Sequence, residues 1–162
     1  MLQTVVIPGV TVFPRLSWRW ESETDILSGS YRSAEQGQLA ESVEVSSPNG
    51  AVAVLDVVDG ELCGVDVVIW PDVETVSGLQ APAPEMAGRV TLPPVPPGTA
   101  RQLEVDLAIE VDSSEHTFHL CVGPARPVTV LQVADHLMIE VDQDQTLAGF
   151  WLTSVPPFPA GA

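Results

Sequence analysis

The sequence contains no lysine, and six arginines are its only strongly basic side chains. They stand against 22 acidic residues in a chain of 162, which gives a formal net charge of −16. Nucleic-acid binding takes most of its affinity from basic side chains that displace counterions from phosphates. This surface would repel nucleic acids and anionic membranes, so we expect neither as a partner. An unidentified protein partner, or simple solubility, fits the charge better.

Cysteine and long apolar runs are also scarce. The two cysteines, Cys63 and Cys121, are too few for a disulfide framework, and each lies in an apolar stretch where a free thiol behaves as a small buried hydrophobe. No apolar run approaches the roughly 18 residues needed to span a bilayer. The first residues show neither the basic nor the continuous apolar region of a signal peptide. We therefore expect a cytoplasmic monomer or homodimer.

The composition is rich in apolar residues arranged in short strands. Hydrophobic residues make up 45% of the chain and the mean hydropathy is +0.22, which is typical of a globular protein. Asn49-Gly50 and Asp59-Gly60 are strong signals for hairpin turns. A helical turn fits only residues 33–43. The strands predicted from alternation and turn residues cover 4–7, 10–13, 16–20, 43–45, 52–58, 62–70, 103–111, 117–122, 128–133, 137–141 and 147–152.

The chain repeats one pattern. Residues 51–65 align without a gap on residues 136–150, and both segments show an apolar run, an acidic turn and a Leu-x-Gly signature. The three identical pairs are Asp59/Asp144, Leu62/Leu147 and Gly64/Gly149. They suit a turn, a core position and a strand glycine, so the repeat predicts architecture rather than chemistry.

This pattern predicts an all-β fold of two pseudo-repeated antiparallel units. The first unit covers residues 1–77, a proline-rich connector covers 78–101, and a second, degenerate unit covers 102–162. We expect the units to pack face to face as a sandwich or small flattened barrel, together forming one compact domain. Four connector prolines could instead form a ligand for an aromatic groove, although a connector is the simpler interpretation. These are Pro93, Pro94, Pro96 and Pro97.

Residues 16–72 resemble the small bacterial domain of unknown function 2283. The similarity comprises an aromatic strand at 16–20, an acidic turn and a closing strand in which Asp66 replaces the usual Glu. The matching turn and closing residues are Asp25, Leu27, Asp59, Gly60, Leu62 and Gly64. Residues 103–155 look like a degenerate copy, with His116, Gln145 and Trp151 in place of Asp25, Gly60 and Asp66. The resemblance implies a compact bacterial β-module and supplies no catalytic residues.

His116, His119 and Cys121 form the densest group of candidate metal ligands. On a strand, His119 and Cys121 share one face and His116 points to the other. Zinc requires four protein ligands, or three and a water, and the distant His136 could join only through folding. The pattern alone therefore favours ordinary histidines at a strand edge or turn, and no metal ligand is assigned.

Other candidate sites have simpler explanations. Asp56 with Asp59, and Asp142 with Asp144, could chelate calcium, but neither pair lies in a twelve-residue calcium loop, and acidic turns account for both. The sequence contains no nucleophile elbow or glycine-rich phosphate loop. It thus assigns no catalytic, cofactor-binding or metal-binding residue, and no cofactor. The leading hypothesis is a non-enzymatic protein-interaction or accessory module; the alternative is a small-ligand or metal site between the two units, with hydrolysis as one option.

Trp18 and Trp20 alternate with Arg19 and so share one face of a strand. We expect this face to form core between the two units. The alternative is an exposed aromatic patch for a partner.

Overall fold

The computed structural model describes residues 1–9, 12–96 and 99–158, and within these ranges the chain is all-β, as predicted. None of these residues forms a helix that is long and apolar enough to cross a membrane. The strands are β1 (Val5–Pro8), β2 (Arg19–Glu21), β3 (Ile26–Ser30), β4 (Ala40–Ser46), β5 (Val52–Val58), β6 (Glu61–Ile69), β7 (Glu74–Val76), β8 (Met86–Thr91), β9 (Arg101–Glu104), β10 (Leu107–Asp112), β11 (Phe118–Val122), β12 (Val128–Ala134), β13 (Leu137–Asp142) and β14 (Leu147–Leu152).

The two predicted hairpin turns are confirmed. The Asn49 side chain accepts a hydrogen bond from the Ala51 N–H at 3.0 Å in the β4–β5 turn. Between β5 and β6, Asp59 and Gly60 have φ values of 48° and 80°. Positive φ at both central residues matches the turn to the right-handed twist of the two strands. Local turn chemistry therefore sets the register of β4, β5 and β6.

The strands pair in two sets. The first strand set has the order β2-β3-β6-β5-β4, all antiparallel, with β9 added parallel to β4. The second strand set has the order β10-β11-β14-β13-β12, also antiparallel, with β8 added parallel to β12. β8 also pairs with β1 and, at one position, with β6, and β7 runs parallel to β10. The result is one curled mixed sheet that forms a half-barrel.

The structure differs from the sequence predictions in several places. β3 and β7 match no predicted strand, and of the predicted strand 16–20 only residues 19 and 20 are in β2. The predicted strand 103–111 is two strands, because the chain leaves β4 after Glu104 and begins a new pairing at Leu107. β8 lies inside the predicted connector 78–101, where prolines flank the strand without interrupting its ladder. Residues 33–43 form a turn followed by β4 rather than a helical turn. Some predicted features fall outside the described residues. These are the first two residues of the predicted strand 10–13, Pro97 of the connector, and residues 159–162 of the second unit.

One hydrophobic core draws on both strand sets. Its fully buried members include Leu27, Leu55, Leu62, Leu120, Ile139 and Phe150. Trp18 is 5% exposed, and its indole N–H donates to the His136 carbonyl at 3.0 Å. The Trp20 indole N–H donates to the Pro156 carbonyl at 2.8 Å. Trp18 thus belongs to the core, as expected, whereas Trp20 is half-buried at its edge, where its ring contacts the exposed Phe158.

We expect Trp18→Ala to lower the free energy of unfolding by about 3–5 kcal/mol, because it removes a buried indole and its hydrogen bond. Urea unfolding measures the loss. Trp18→Phe keeps most of the packing and should cost less, and Val12→Ala, at a side chain that is 80% exposed, should cost little. An unchanged midpoint for Trp18→Ala would contradict the core role.

Candidate functional site

Four polar side chains meet on one face of the second strand set. Glu110 comes from β10, His119 and Cys121 from β11, and Glu140 from β13. Glu110 is the cross-strand partner of His119, whereas Cys121 and Glu140 both pair with Gly149 on the strand between them. Directly paired residues project to the same side of a sheet. We call these four residues the histidine cluster.

Both ring nitrogens of His119 contact carboxylates. Nδ1 lies 2.9 Å from Glu110 Oε1, and Nε2 lies 2.8 Å from Glu140 Oε1. The Cys121 Sγ lies 3.5 Å from Nδ1 and 3.9 Å from Glu110 Oε1. Trp151 stacks on the imidazole with 3.9 Å between ring centroids, and its indole N–H donates to Glu140 Oε2 at 3.2 Å. The two carboxylates therefore fix the imidazole within its plane, and the stacked indole covers one of its faces.

Gly149 makes this arrangement sterically possible. A Cβ atom at this position would overlap Glu140 Oε1 and the Leu120 carbonyl oxygen. Without a side chain at 149, the Glu140 carboxylate crosses β14 and reaches His119 two strands away from its own. The glycine in the repeated Leu-x-Gly signature thus opens a groove on the sheet surface.

The surroundings of His119 favour its protonated form. Burial alone would lower the pKa of His119, but hydrogen bonds with Cys121, Glu140 and Glu110 outweigh this effect and raise it to about 10. The metal-free ring is therefore an imidazolium at neutral pH, held between two carboxylates. Any metal that binds Nδ1 must displace a proton from it.

The histidine cluster opens into a cleft of about 240 Å³. The other wall includes Gly123, Pro124, Ala125, Arg126, Val128 and Ala148. Arg126 fixes this wall, because its guanidinium contacts Asp142 at 2.7 Å and donates to the carbonyl oxygens of Val122 and Leu147 at 2.9 and 3.0 Å. The guanidinium is therefore fully engaged in structural contacts.

Asp142, considered above for calcium, is occupied by protein donors. Burial alone would raise its pKa, but hydrogen bonds from Thr146, Arg126 and the Asp144 N–H outweigh it and hold the pKa well below its usual range. One carboxylate oxygen accepts from the Asp144 and Thr146 N–H groups at 2.9 Å each. Asp142 is a turn residue, as the sequence suggested.

Of the candidate metal ligands predicted from the sequence, the structure brings two together and separates the others. His119 and Cys121 share a face, as predicted. His116 lies apart, with Nδ1 2.9 Å from the Val155 carbonyl, and His136 is an exposed turn residue with φ of 63°. Cys63 is buried in the first strand set, and burial raises its pKa to about 11.

Sequence reasoning missed Glu110 and Glu140. Glu140 carried a signal, because it interrupts the otherwise apolar run 137–141. A carboxylate buried to 8% exposure in such a strand requires a partner, and His119 is that partner. Glu110 carried no such signal, because acidic residues are common at the positions of an alternating strand that the pattern predicts to face solvent.

A second polar cleft of about 490 Å³ lies on the first strand set. Its lining side chains are Ser17, Arg19, Ser28, Ser30, Asp56 and Asp66, and we call it the serine cleft. Burial and the negative charge of Asp66 raise the pKa of Asp56 to about 6. Burial also raises the pKa of Asp66, although a hydrogen bond from Ser28 and the charge of Arg19 oppose the rise.

No protein-family model matches this chain, and no curated protein matches it in sequence. The resemblance to the domain of unknown function 2283 stays a prediction.

We expect Asp56→Asn to stabilise the protein more at about pH 8 than at about pH 5. A carboxyl group whose pKa is raised in the folded state costs stability as pH rises from its unfolded value through about 6, and asparagine removes that cost. Urea unfolding at the two pH values measures the difference. The control is Asp72→Asn, at an exposed position, which should show no such pH dependence. An equal effect of Asp56→Asn at both pH values would contradict the prediction.

Proposed function

We propose that this protein binds a divalent transition-metal ion, best matched by zinc, through Glu110, His119 and Cys121. One oxygen, one nitrogen and one sulfur atom from these residues lie within 4.8 Å of one another. Their separations are 2.9, 3.5 and 3.9 Å. Zinc–ligand bonds of about 2.0–2.3 Å place tetrahedral ligands roughly 3.3–3.8 Å apart. Small side-chain adjustments would therefore bring all three atoms onto one ion.

The donor types favour zinc over magnesium or calcium. A thiolate and an imidazole are soft or borderline ligands that suit zinc, whereas the two alkaline-earth ions prefer oxygen alone. Both cysteines are free thiols, which fits a reducing compartment and the predicted cytoplasmic location.

The contact between Glu140 and His119 is the observation that carries the proposal. A histidine that binds metal through one nitrogen almost always donates its other N–H to a carboxylate or carbonyl, which fixes the ring and increases its basicity. Glu140 accepts from Nε2 at 2.8 Å and so leaves Nδ1 to face Glu110 and Cys121. Trp151 in turn holds the second oxygen of Glu140. Ligands and supporting groups thus form one connected arrangement.

The proposed ligands all belong to the second strand set, which differs from the site between two units considered from sequence. Metal binding does not require catalysis, so the hypothesis of a non-enzymatic accessory or interaction module remains compatible with it.

We expect the purified chain to bind one Zn²⁺, and His119→Gln and Cys121→Ser to abolish tight binding. Glu140→Gln should weaken it by about 10- to 100-fold, because it keeps the ligands but loses the charge that orients His119. Isothermal titration calorimetry gives the affinities. With Co²⁺, a thiolate charge-transfer band should appear in wild type and vanish in Cys121→Ser. His136→Asn, at an exposed turn, is the control. An equal loss in that control, or no stoichiometric binding by wild type, would refute the proposal.

We also propose that the two strand sets are divergent copies of one unit, packed face to face. Their antiparallel orders correspond strand for strand, and β9 extends the first set beyond β4 as β8 extends the second beyond β12, both in parallel. The second set also carries β7, parallel to β10 at its other edge. Their cross-strand pairs correspond too. Arg19↔Ser28↔Asp66 parallels Glu110↔His119↔Trp151, and Ser30↔Gly64↔Asp56 parallels Cys121↔Gly149↔Glu140. The match of Asp56 with Glu140 is shifted by one residue from the ungapped alignment, which places Asp56 opposite Val141. The serine cleft and the histidine cluster therefore occupy corresponding positions, and the resemblance of residues 16–72 to the domain of unknown function 2283 would extend to both sets.

Under this proposal, Gly64 and Gly149 serve the same steric role with different consequences. A Cβ at Gly64 would crowd the Gly29 carbonyl, Ser30 and Asp56, as a Cβ at Gly149 would crowd Glu140. We expect each Gly→Ala substitution to cost about 1–3 kcal/mol of stability through overpacking. Only Gly149→Ala should also weaken Zn²⁺ binding. Chemical denaturation and calorimetry test both points, and a Gly64→Ala variant as stable as wild type would contradict the correspondence.

A further inference from the structure

The metal site proposed above leaves one coordination position open. Among the described residues, three supply metal-directed donor atoms. Glu140 does not serve as the fourth ligand while it bonds to Nε2, because the in-plane bonding directions of Nε2 and Nδ1 diverge. Zinc held by three protein ligands takes water or an exogenous ligand as its fourth. This position faces the cleft of about 240 Å³ described above.

The charges around this position disfavour anions. The Cys121 thiolate and the Glu110 carboxylate neutralise the two positive charges of the ion. Glu140 adds one negative charge beside them, at 2.8 Å from the ring. Arg126 offers no compensation, because its ion pair with Asp142 at 2.7 Å cancels its charge locally. An anionic ligand would therefore enter a site that already carries excess negative charge.

The same balance bears on hydrolysis. A metal lowers the pKa of its bound water through its net positive charge, as in sites with three neutral histidines. With two anionic ligands and a third carboxylate nearby, much of that charge is offset, so bound water would be less acidic than at a site with three neutral histidines.

We propose that the fourth position accepts a neutral nitrogen donor of the imidazole class. This inference rests on the proposed metal site. An imidazole ring brings a strong donor to the metal without adding charge, and it is small compared with a cleft of about 240 Å³. Pro124, Ala125, Val128 and Ala148 provide apolar contacts for the C–H edges of the ring. The chain's other two histidines lie elsewhere: His116 Nδ1 contacts the Val155 carbonyl, and His136 Nδ1 lies 3.4 Å from Thr153 Oγ1. The donor therefore comes from outside this chain.

The test uses the 162-residue chain loaded with Co²⁺, whose visible absorption reports a change of ligand. Imidazole, the capped tripeptide Gly-His-Gly and azide are titrated separately while the thiolate charge-transfer band shows that the ion stays bound. We expect imidazole to saturate at a concentration at least about tenfold below that of azide. Saturation by the tripeptide as well would identify a histidine side chain of a protein partner as the source. Saturation by free imidazole alone would identify a small molecule, and both results support the proposal.

Glu140→Gln, measured at saturating Co²⁺, tests the charge argument separately. Loss of one negative charge should strengthen azide binding. The saturating concentrations of azide and imidazole should then differ by less than they do in wild type. Azide binding as tightly as imidazole to wild type would overturn the inference, as would a visible spectrum that imidazole leaves unchanged. If wild type shows no thiolate band at all, the proposed metal site itself fails, and the two failures are thereby distinguished.

Discussion

The Glu140 carboxylate crosses strand β14 to reach His119, and the site on this sheet depends on that crossing. It requires a residue without a side chain at position 149, a neighbouring indole to hold the second carboxylate oxygen, and a ring nitrogen to receive the first. Strand β14 meets the first two conditions and β11 meets the third. The local chemistry is thus a product of sheet register, because a shift of one residue in β13 or β14 would turn these side chains to the opposite face.

The two clefts show two ways of burying carboxylates in an acidic protein. In the histidine cluster, an imidazolium between Glu110 and Glu140 offsets their charge. In the serine cleft no histidine is present, and Asp56 instead holds its proton to a higher pH. The first solution provides a donor set for a metal, whereas the second provides only a titrating carboxyl group. The difference lies in the residues placed around a shared steric groove.

Sequence analysis predicted well what is encoded locally. The hairpin turns and the limits of β5 and β14 follow from Asn-Gly and Asp-Gly signals and from apolar runs. It was wrong on 103–111, because the apolar alternation continues across the change of partner near Val105 and so conceals it. It predicted that His119 and Cys121 share a face, since the period of a strand is two. It could not supply Glu140, because that contact spans 21 residues and depends on strand order rather than on period.

β7 and β9 each pair with the strand set that lies farther from them in the sequence. β7 follows the first strand set in the chain but pairs with β10 of the second, and β9 precedes the second set but pairs with β4 of the first. Each set is thus completed at one edge by a segment adjoining the other in sequence. The two sets are interlocked by backbone pairing as well as joined by a covalent connection. A single cut in the proline-rich stretch after β8 would leave a complex of two fragments held together by complementary strands.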